Sequence, residues 1–67
     1  MEPDVEHLFR LREEYQLEVD KPLKKKLRDN LFAEVENYLR AKGLTMNAYD
    51  FIAATSEIYR NWKRNPH

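Results

Sequence analysis

Two glutamates and a histidine near the start of the chain are the first residues whose spacing could serve catalysis. Glu14 and Glu18 are four residues apart and share a helix face. A catalytic carboxylate pair requires one group to be desolvated, and nothing in the pattern indicates such a cleft. His7 has no nucleophile near it, because the chain lacks cysteine and its only serine is Ser56. We therefore expect solvated carboxylates, a surface histidine and no enzyme.

The sequence also lacks the spacings that metals and cofactors require. Its two histidines lie at positions 7 and 67, and the absence of cysteine excludes thiolate sites. Gly43 is the only glycine, which excludes a glycine-rich phosphate loop. We expect no metal and no cofactor.

Basic residues form two clusters that could bind an anion. Residues 1–20 carry seven acidic against two basic residues, whereas residues 21–44 carry seven basic against three acidic ones. Cations at the start of a helix oppose its dipole, so a compensating anion is expected there. That anion could be the acidic first helix of the same or another copy, a partner protein, or nucleic-acid phosphate. Near the C-terminus, bases interleave with Tyr59 and Trp62, which also continue a core face. The alternative function is therefore a nucleic-acid-binding regulator that uses Lys24, Lys25, Arg28, Arg60, Lys63 and Arg64.

Three helices must position these groups. Apolar residues at three- and four-residue steps from Val5 to Val19 predict a first helix over residues 4–18, capped by Asp4. Pro22 favours the first turn of a second helix, which we expect over residues 22–42 with Gly43 as its left-handed cap.

The third predicted helix covers residues 46–64. Thr45 or Asn47 supplies its cap, and its apolar face runs from Ala48 to Trp62. Short connections predict that consecutive helices run antiparallel. The fold class is therefore all-α: one domain over residues 1–67, an up-down-up three-helix bundle around a long central helix whose wide apolar arc contacts two neighbours.

A chain of 67 residues is small for independent stability. Such a domain buries only about 60% of the surface of its unfolded chain, and neither a disulfide nor a metal is expected here. A partner chain remains, most simply a second copy. The helices also carry more apolar side chains than so small a core should hold. These predict a contact surface for protein, formed by Phe9, Phe32, Tyr38, Leu39 and Trp62.

The leading functional hypothesis is thus a small regulatory or adaptor protein that binds an unidentified protein through a helical face and completes its bundle as a homodimer. No apolar run reaches the ~18 residues of a membrane span, so no membrane partner is expected. The N-terminus lacks the basic and apolar regions of a signal peptide. We expect a cytoplasmic protein.

Overall fold

The computed structural model describes residues 3–65, and within this range the chain is helical with no strand. The all-α class is therefore confirmed. The described residues form four helices, which are α1 (Pro3–Leu17), α2 (Lys21–Ala41), α3 (Ala48–Ala54) and α4 (Ser56–Arg64). Because α1 begins at Pro3, Asp4 lies inside the helix rather than before it, and its predicted capping position is wrong. The predicted end of the chain at Pro66 and His67 lies outside the described residues.

The break between α1 and α2 comes from local chemistry around Asp20. The Asp20 side chain accepts a hydrogen bond from the Leu23 backbone N–H at 3.1 Å and caps the start of α2. Pro22 occupies the first turn, where its missing N–H costs nothing. The predicted second helix is thus confirmed to within one residue at each end.

Gly43 ends α2 in the left-handed conformation predicted for it, with φ of 71°. The Gly43 N–H donates to the Arg40 carbonyl at 3.1 Å, and the Leu44 N–H donates to the Leu39 carbonyl at 2.9 Å. This pair of bonds is the Schellman motif, which satisfies the last carbonyls of the helix. The chain therefore turns sharply toward α3.

The predicted third helix is wrong as a continuous element. Asn47 caps α3, accepting from the Asp50 N–H at 2.8 Å, so the helix starts at Ala48 rather than Met46. The chain then breaks at Thr55. In a continuous helix the Ile52 carbonyl would accept from the Ser56 N–H. Here it accepts from the Ser56 hydroxyl at 2.8 Å and from Arg12 Nη1 at 3.5 Å. Side chains that enter the hydrogen-bond ladder in this way bend or break helices.

Two groups of packed side chains hold the helices together. The first joins α1, α2 and α3, so α2 contacts two neighbours as its wide apolar arc predicts; its buried members are Leu8, Leu31, Val35, Leu39, Ala48 and Phe51. The second is an aromatic group between α1 and α4, formed by Phe9, Tyr59 and Trp62. The break at Thr55 thus lets α3 pack on α2 while α4 packs on α1.

Candidate functional site: a basic pocket and an apolar patch

The predicted protein-contact residues lie largely inside the molecule. Phe9 and Leu39 are each only 4% exposed. The expectation that this core could not hold them is wrong for these two, because the separate directions of α3 and α4 create two packing sites instead of one. The Phe9 ring lies 5.6 Å from Tyr59 and 5.8 Å from Trp62 between ring centres.

The remaining three predicted contact residues are half-buried and pack on aromatic neighbours. Phe32 meets Tyr49 edge-on at 4.8 Å between ring centres, and Tyr38 lies 5.5 Å from Phe51. Trp62 stacks at 6.1 Å on Tyr59. The structure does not bring the five residues into one exposed surface, and their role in binding a partner stays a prediction.

A different set of apolar side chains is exposed where α1 gives way to α2. Leu17 is 74% exposed, Val19 90% and Leu23 44%, and the half-buried Leu27 continues the same surface. We call these four residues the α1–α2 patch. The sequence pattern placed Val19 on the core stripe of the first helix. In the structure α1 ends at Leu17 and leaves Val19 in the connecting loop.

The α1–α2 patch has an acidic edge and a basic edge. Glu14 and Glu18 line a groove of about 400 Å³ together with Leu17, Leu23 and Leu27. At about 100° per helical residue, Leu23 and Leu27 lie between Lys24, which faces α1, and the exposed Lys26. The patch thus separates α1 carboxylates from an α2 ammonium group.

The ammonium group of Lys24 forms hydrogen bonds within the chain instead of facing an external partner. Its Nζ donates to the Tyr15 carbonyl at 3.0 Å and the Glu18 carbonyl at 3.3 Å, and it lies 4.6 Å from the centre of the Tyr15 ring. The last carbonyls of a helix lack intrahelical partners and carry partial negative charge. Lys24 therefore caps the C-terminal end of α1, a structural role that its place in the basic cluster did not predict.

The other five predicted nucleic-acid contacts divide between two places. Lys25 and Arg28 are exposed at the start of α2, where Arg28 Nη2 lies 3.6 Å from Asp29. On α4, Lys63 donates to Gln16 Oε1 at 3.3 Å, while Arg60 and Arg64 are exposed.

In residues 5–65, the acidic groups of α1 do not pair with the lysines at the start of α2, which is the intrachain alternative that the sequence left open. Ion pairs in this range join His7 with Glu34 at 3.9 Å, Arg10 with Glu6, and Arg28 with Asp29. None joins an α1 carboxylate to the lysines at the start of α2. The exposed lysines of that cluster are left to solvent or to a partner.

Arg12 is a buried cation that the sequence analysis did not single out. Only 8% exposed, it donates to the Ile52 carbonyl, to Thr55 Oγ1 at 3.3 Å and to Ser56 Oγ at 3.2 Å. Its guanidinium lies 4.2 Å from the centre of the Tyr59 ring. A signal was present, because Arg12 stands four residues after Leu8 and therefore on the core-facing stripe.

The electrostatic environment of Arg12 is unusual because its acceptors are all neutral. Among the described residues no carboxylate forms an ion pair with it. Desolvation by burial lowers the pKa of Arg12 from its ordinary value, and the nearby Arg60 charge acts in the same direction. Burial also raises the pKa of Tyr59, whose hydroxyl donates to Gln16 Oε1 at 2.9 Å.

Arg12 lines a pocket of about 300 Å³ between α1, α2 and α3. Among its lining residues Leu31 and Arg12 are buried, whereas Gln16, Arg28 and Tyr49 are exposed. The rest of the lining is half-buried and largely apolar, contributed by Tyr15, Phe32 and Ile52. A shallower pocket adjoins it, sharing two residues; it is lined by Tyr15, Lys21, Lys24, Lys25 and Arg28.

Within the described part of the chain, no three histidine, cysteine, aspartate or glutamate side chains are grouped so that they could hold a metal ion. No helix there has the length and apolar character needed to cross a membrane. Comparison with protein-family models, curated proteins and solved structures finds no match to this chain.

Proposed function

We propose that this chain is a small non-enzymatic regulatory or adaptor protein that works by helix-mediated protein–protein contact. Its contact surface is the α1–α2 patch, and the occupant to which we commit is a second copy of the chain. One observation carries the proposal: Leu17, Val19 and Leu23 are all exposed, and Leu17 of α1 and Leu23 of α2 line the same groove.

The size of the patch sets the expected strength of the dimer. Fully burying a valine or leucine side chain contributes about 1.5–3 kcal/mol. Two copies bring six such exposed side chains together, and association costs at least ~4 kcal/mol in lost freedom of motion. The net free energy of association is modest, because Leu23 is already partly buried in the monomer and gains less from the contact. We expect a dimer that dissociates in the micromolar to millimolar range.

Charge complementarity favours a second copy over an unrelated apolar partner. A two-fold axis through the patch places each edge of one copy against the opposite edge of the other. Glu14 of one copy then faces Lys26 of its partner, twice per dimer. This arrangement gives the acidic α1 and basic α2 surfaces the intermolecular pairing that they lack within the chain.

Light scattering coupled to size exclusion, from about 10 µM to 1 mM chain, tests the dimer. The wild type should move from 8.2 kDa toward twice that mass as concentration rises. Leu17→Asp should remain monomeric, whereas the matched control Ile58→Asp should dimerise like wild type, because Ile58 is exposed on α4. A wild type that stays at 8.2 kDa at 1 mM contradicts the proposal.

Exchanging the charges of Glu14 and Lys26 distinguishes the two-fold arrangement from dimers that use other contacts. Glu14→Lys or Lys26→Glu alone should weaken the dimer about threefold or more, because each creates two like-charge contacts. The double variant should recover the wild-type dissociation constant. Failure of the double variant to recover would exclude the Glu14–Lys26 pairing while leaving the apolar contact to be judged by Leu17→Asp.

The second candidate function is nucleic-acid binding, and one observation favours it. Lys25 and Arg28 are exposed around a basic pocket that no α1 carboxylate neutralises in the described structure. Against it, Lys24 and Lys63 are engaged within the chain. Filter binding at ~50 mM salt tests this function with duplex and single-stranded DNA and RNA, since phosphate contacts are strongest at low salt. Retention that Lys25→Gln abolishes would support this function, and no retention would exclude it.

A further inference from the structure

We propose that the pocket between α1, α2 and α3 is a binding site for a small organic anion with a flat apolar body. Arg12 and Arg28 would hold the acidic group, and the apolar walls, chiefly Leu31, Phe32 and Ile52, would hold the body. This goes beyond the dimer proposed above, because the pocket uses different residues and is independent of self-association.

The buried guanidinium of Arg12 is the first step of the argument. Burying a charge is costly unless an opposite charge or a full set of hydrogen bonds compensates. A guanidinium has five N–H donors, and the structure shows three hydrogen bonds from Arg12, at 3.2–3.5 Å and all to neutral oxygens. Donors therefore remain for a further acceptor, and a negatively charged acceptor would offset the desolvation best.

A second cation, the exposed Arg28, lines the same pocket. Arg28 lines it together with Gln16, and the adjoining basic pocket adds the exposed Lys21 and Lys25. The only carboxylate that forms an ion pair with Arg28 in the described structure is its neighbour Asp29, on a pair that is largely solvent-exposed. The positive charges thus draw an anion toward the pocket that Arg12 and Arg28 line.

The walls determine what is attached to the anionic group. Leu31, Phe32 and Ile52 are apolar, and Tyr49 meets Phe32 edge-on to extend the wall toward solvent. At about 300 Å³, the pocket is at the small end of the roughly 300–1,000 Å³ typical of small-molecule sites. This combination fits an aromatic or branched aliphatic acid better than a bare inorganic ion.

Nuclear magnetic resonance titration of the full chain tests the proposal with three matched probes: phenylacetate, its neutral analogue phenylacetamide, and inorganic phosphate. Phenylacetate should shift the Arg12 Nε–H, Ile52 and Tyr49 signals with saturation. Phenylacetamide should bind at least about tenfold more weakly, since it lacks the charge-assisted hydrogen bonds. Phosphate should also bind at least about tenfold more weakly because it lacks the apolar body. Phenyl phosphate then tells whether the site prefers a carboxylate or a phosphate group on the same body.

Variants locate the binding energy in the two arginines. Arg28→Gln, at an exposed position, should weaken phenylacetate about tenfold, whereas Arg60→Gln, an exposed arginine on α4, should leave it unchanged within about twofold. Arg12→Lys should also weaken binding. If that buried variant does not fold, Arg28→Gln alone decides.

Three results would overturn the proposal. The first is no saturable shift at these signals up to 20 mM phenylacetate. The second is equal binding of phenylacetate and phenylacetamide, which would mean that the cations contribute nothing. The third is a phenylacetate affinity that Arg28→Gln leaves unchanged.

Discussion

Replacing Arg12 by methionine tests whether this buried cation stabilises the fold or is retained for another purpose. Methionine keeps an unbranched apolar side chain in the same space but removes the guanidinium. The three oxygens that Arg12 contacts are not left without partners. The Ile52 carbonyl still accepts from the Ser56 hydroxyl, and the Thr55 hydroxyl still donates to the Phe51 carbonyl at 2.8 Å. The change therefore removes a buried charge without creating orphaned polar groups.

The magnitude follows from opposing contributions. Three hydrogen bonds at 3.2–3.5 Å contribute at most about 1 kcal/mol each. The contact with the Tyr59 ring at 4.2 Å contributes about 0.5–2 kcal/mol. The desolvation that methionine avoids is several kcal/mol for a buried ion. We expect the free energy of unfolding of Arg12→Met to lie within about 1 kcal/mol of wild type. Arg12→Ala, which leaves a cavity, should lose at least about 2 kcal/mol relative to Arg12→Met.

Urea unfolding followed by Trp62 fluorescence is the assay, because Trp62 packs on Phe9 and Tyr59 and changes environment when α4 separates from α1. The slope with urea should stay constant across the variants. Arg10→Met, an exposed arginine on α1, is the control and should change stability by less than about 0.5 kcal/mol. Arg12→Met as unstable as Arg12→Ala would refute the reasoning, since the guanidinium bonds would then outweigh the desolvation.

Three further changes test individual features of the fold. Gly43→Ala should lower the free energy of unfolding by roughly 1–2 kcal/mol from backbone strain alone, because a Cβ there meets no atom within 4 Å. Urea unfolding measures this loss, and Gly43→Asn should lower the free energy of unfolding by less. Lys24→Met should cost about 1 kcal/mol by removing the cap of α1, whereas Lys25→Met should change little; equal losses would exclude the capping role. Burial raises the pKa of Tyr59 above 10.0, so the folded state holds its phenol proton longer than the unfolded state. Stability from this group is therefore complete below pH 10.0 and lost as the pH rises through the folded-state pKa. Tyr59→Phe should lose stability less steeply in that range, and parallel pH curves for the two proteins would contradict the assignment.

The dimer and the small-anion site occupy different surfaces of the α1–α2 pair. The α1–α2 patch and its groove involve Leu17 and Leu23, whereas the pocket involves Arg12 and Arg28. Leu17→Asp should therefore leave phenylacetate binding intact, and Arg28→Gln should leave dimerisation intact. Loss of both properties in either variant would indicate that the two surfaces depend on one another.

The sequence by itself determined the helical class and the long second helix with its end at Gly43. Gly43 acts on backbone groups within four residues of itself, so its capping role follows from residue type and position alone. For α3 the sequence left Thr45 and Asn47 as alternative caps, and the structure shows Asn47 in that role. The separation of acidic and basic halves is likewise a property of the chain. Neither conclusion required knowledge of which helices touch.

Only the tertiary structure decided which side chains are buried and which surfaces are free. Arg12 is buried because α4 covers it, and its contact with the Ile52 carbonyl occurs where α3 gives way to α4. That break gives Phe9 a separate aromatic neighbourhood. Val19 is apolar like a core residue but lies past the end of α1 and is exposed. The Lys24 ammonium group donates a hydrogen bond to the Tyr15 carbonyl of α1. These outcomes depend on where each helix ends and on which helices pack together, and helical periodicity encodes neither.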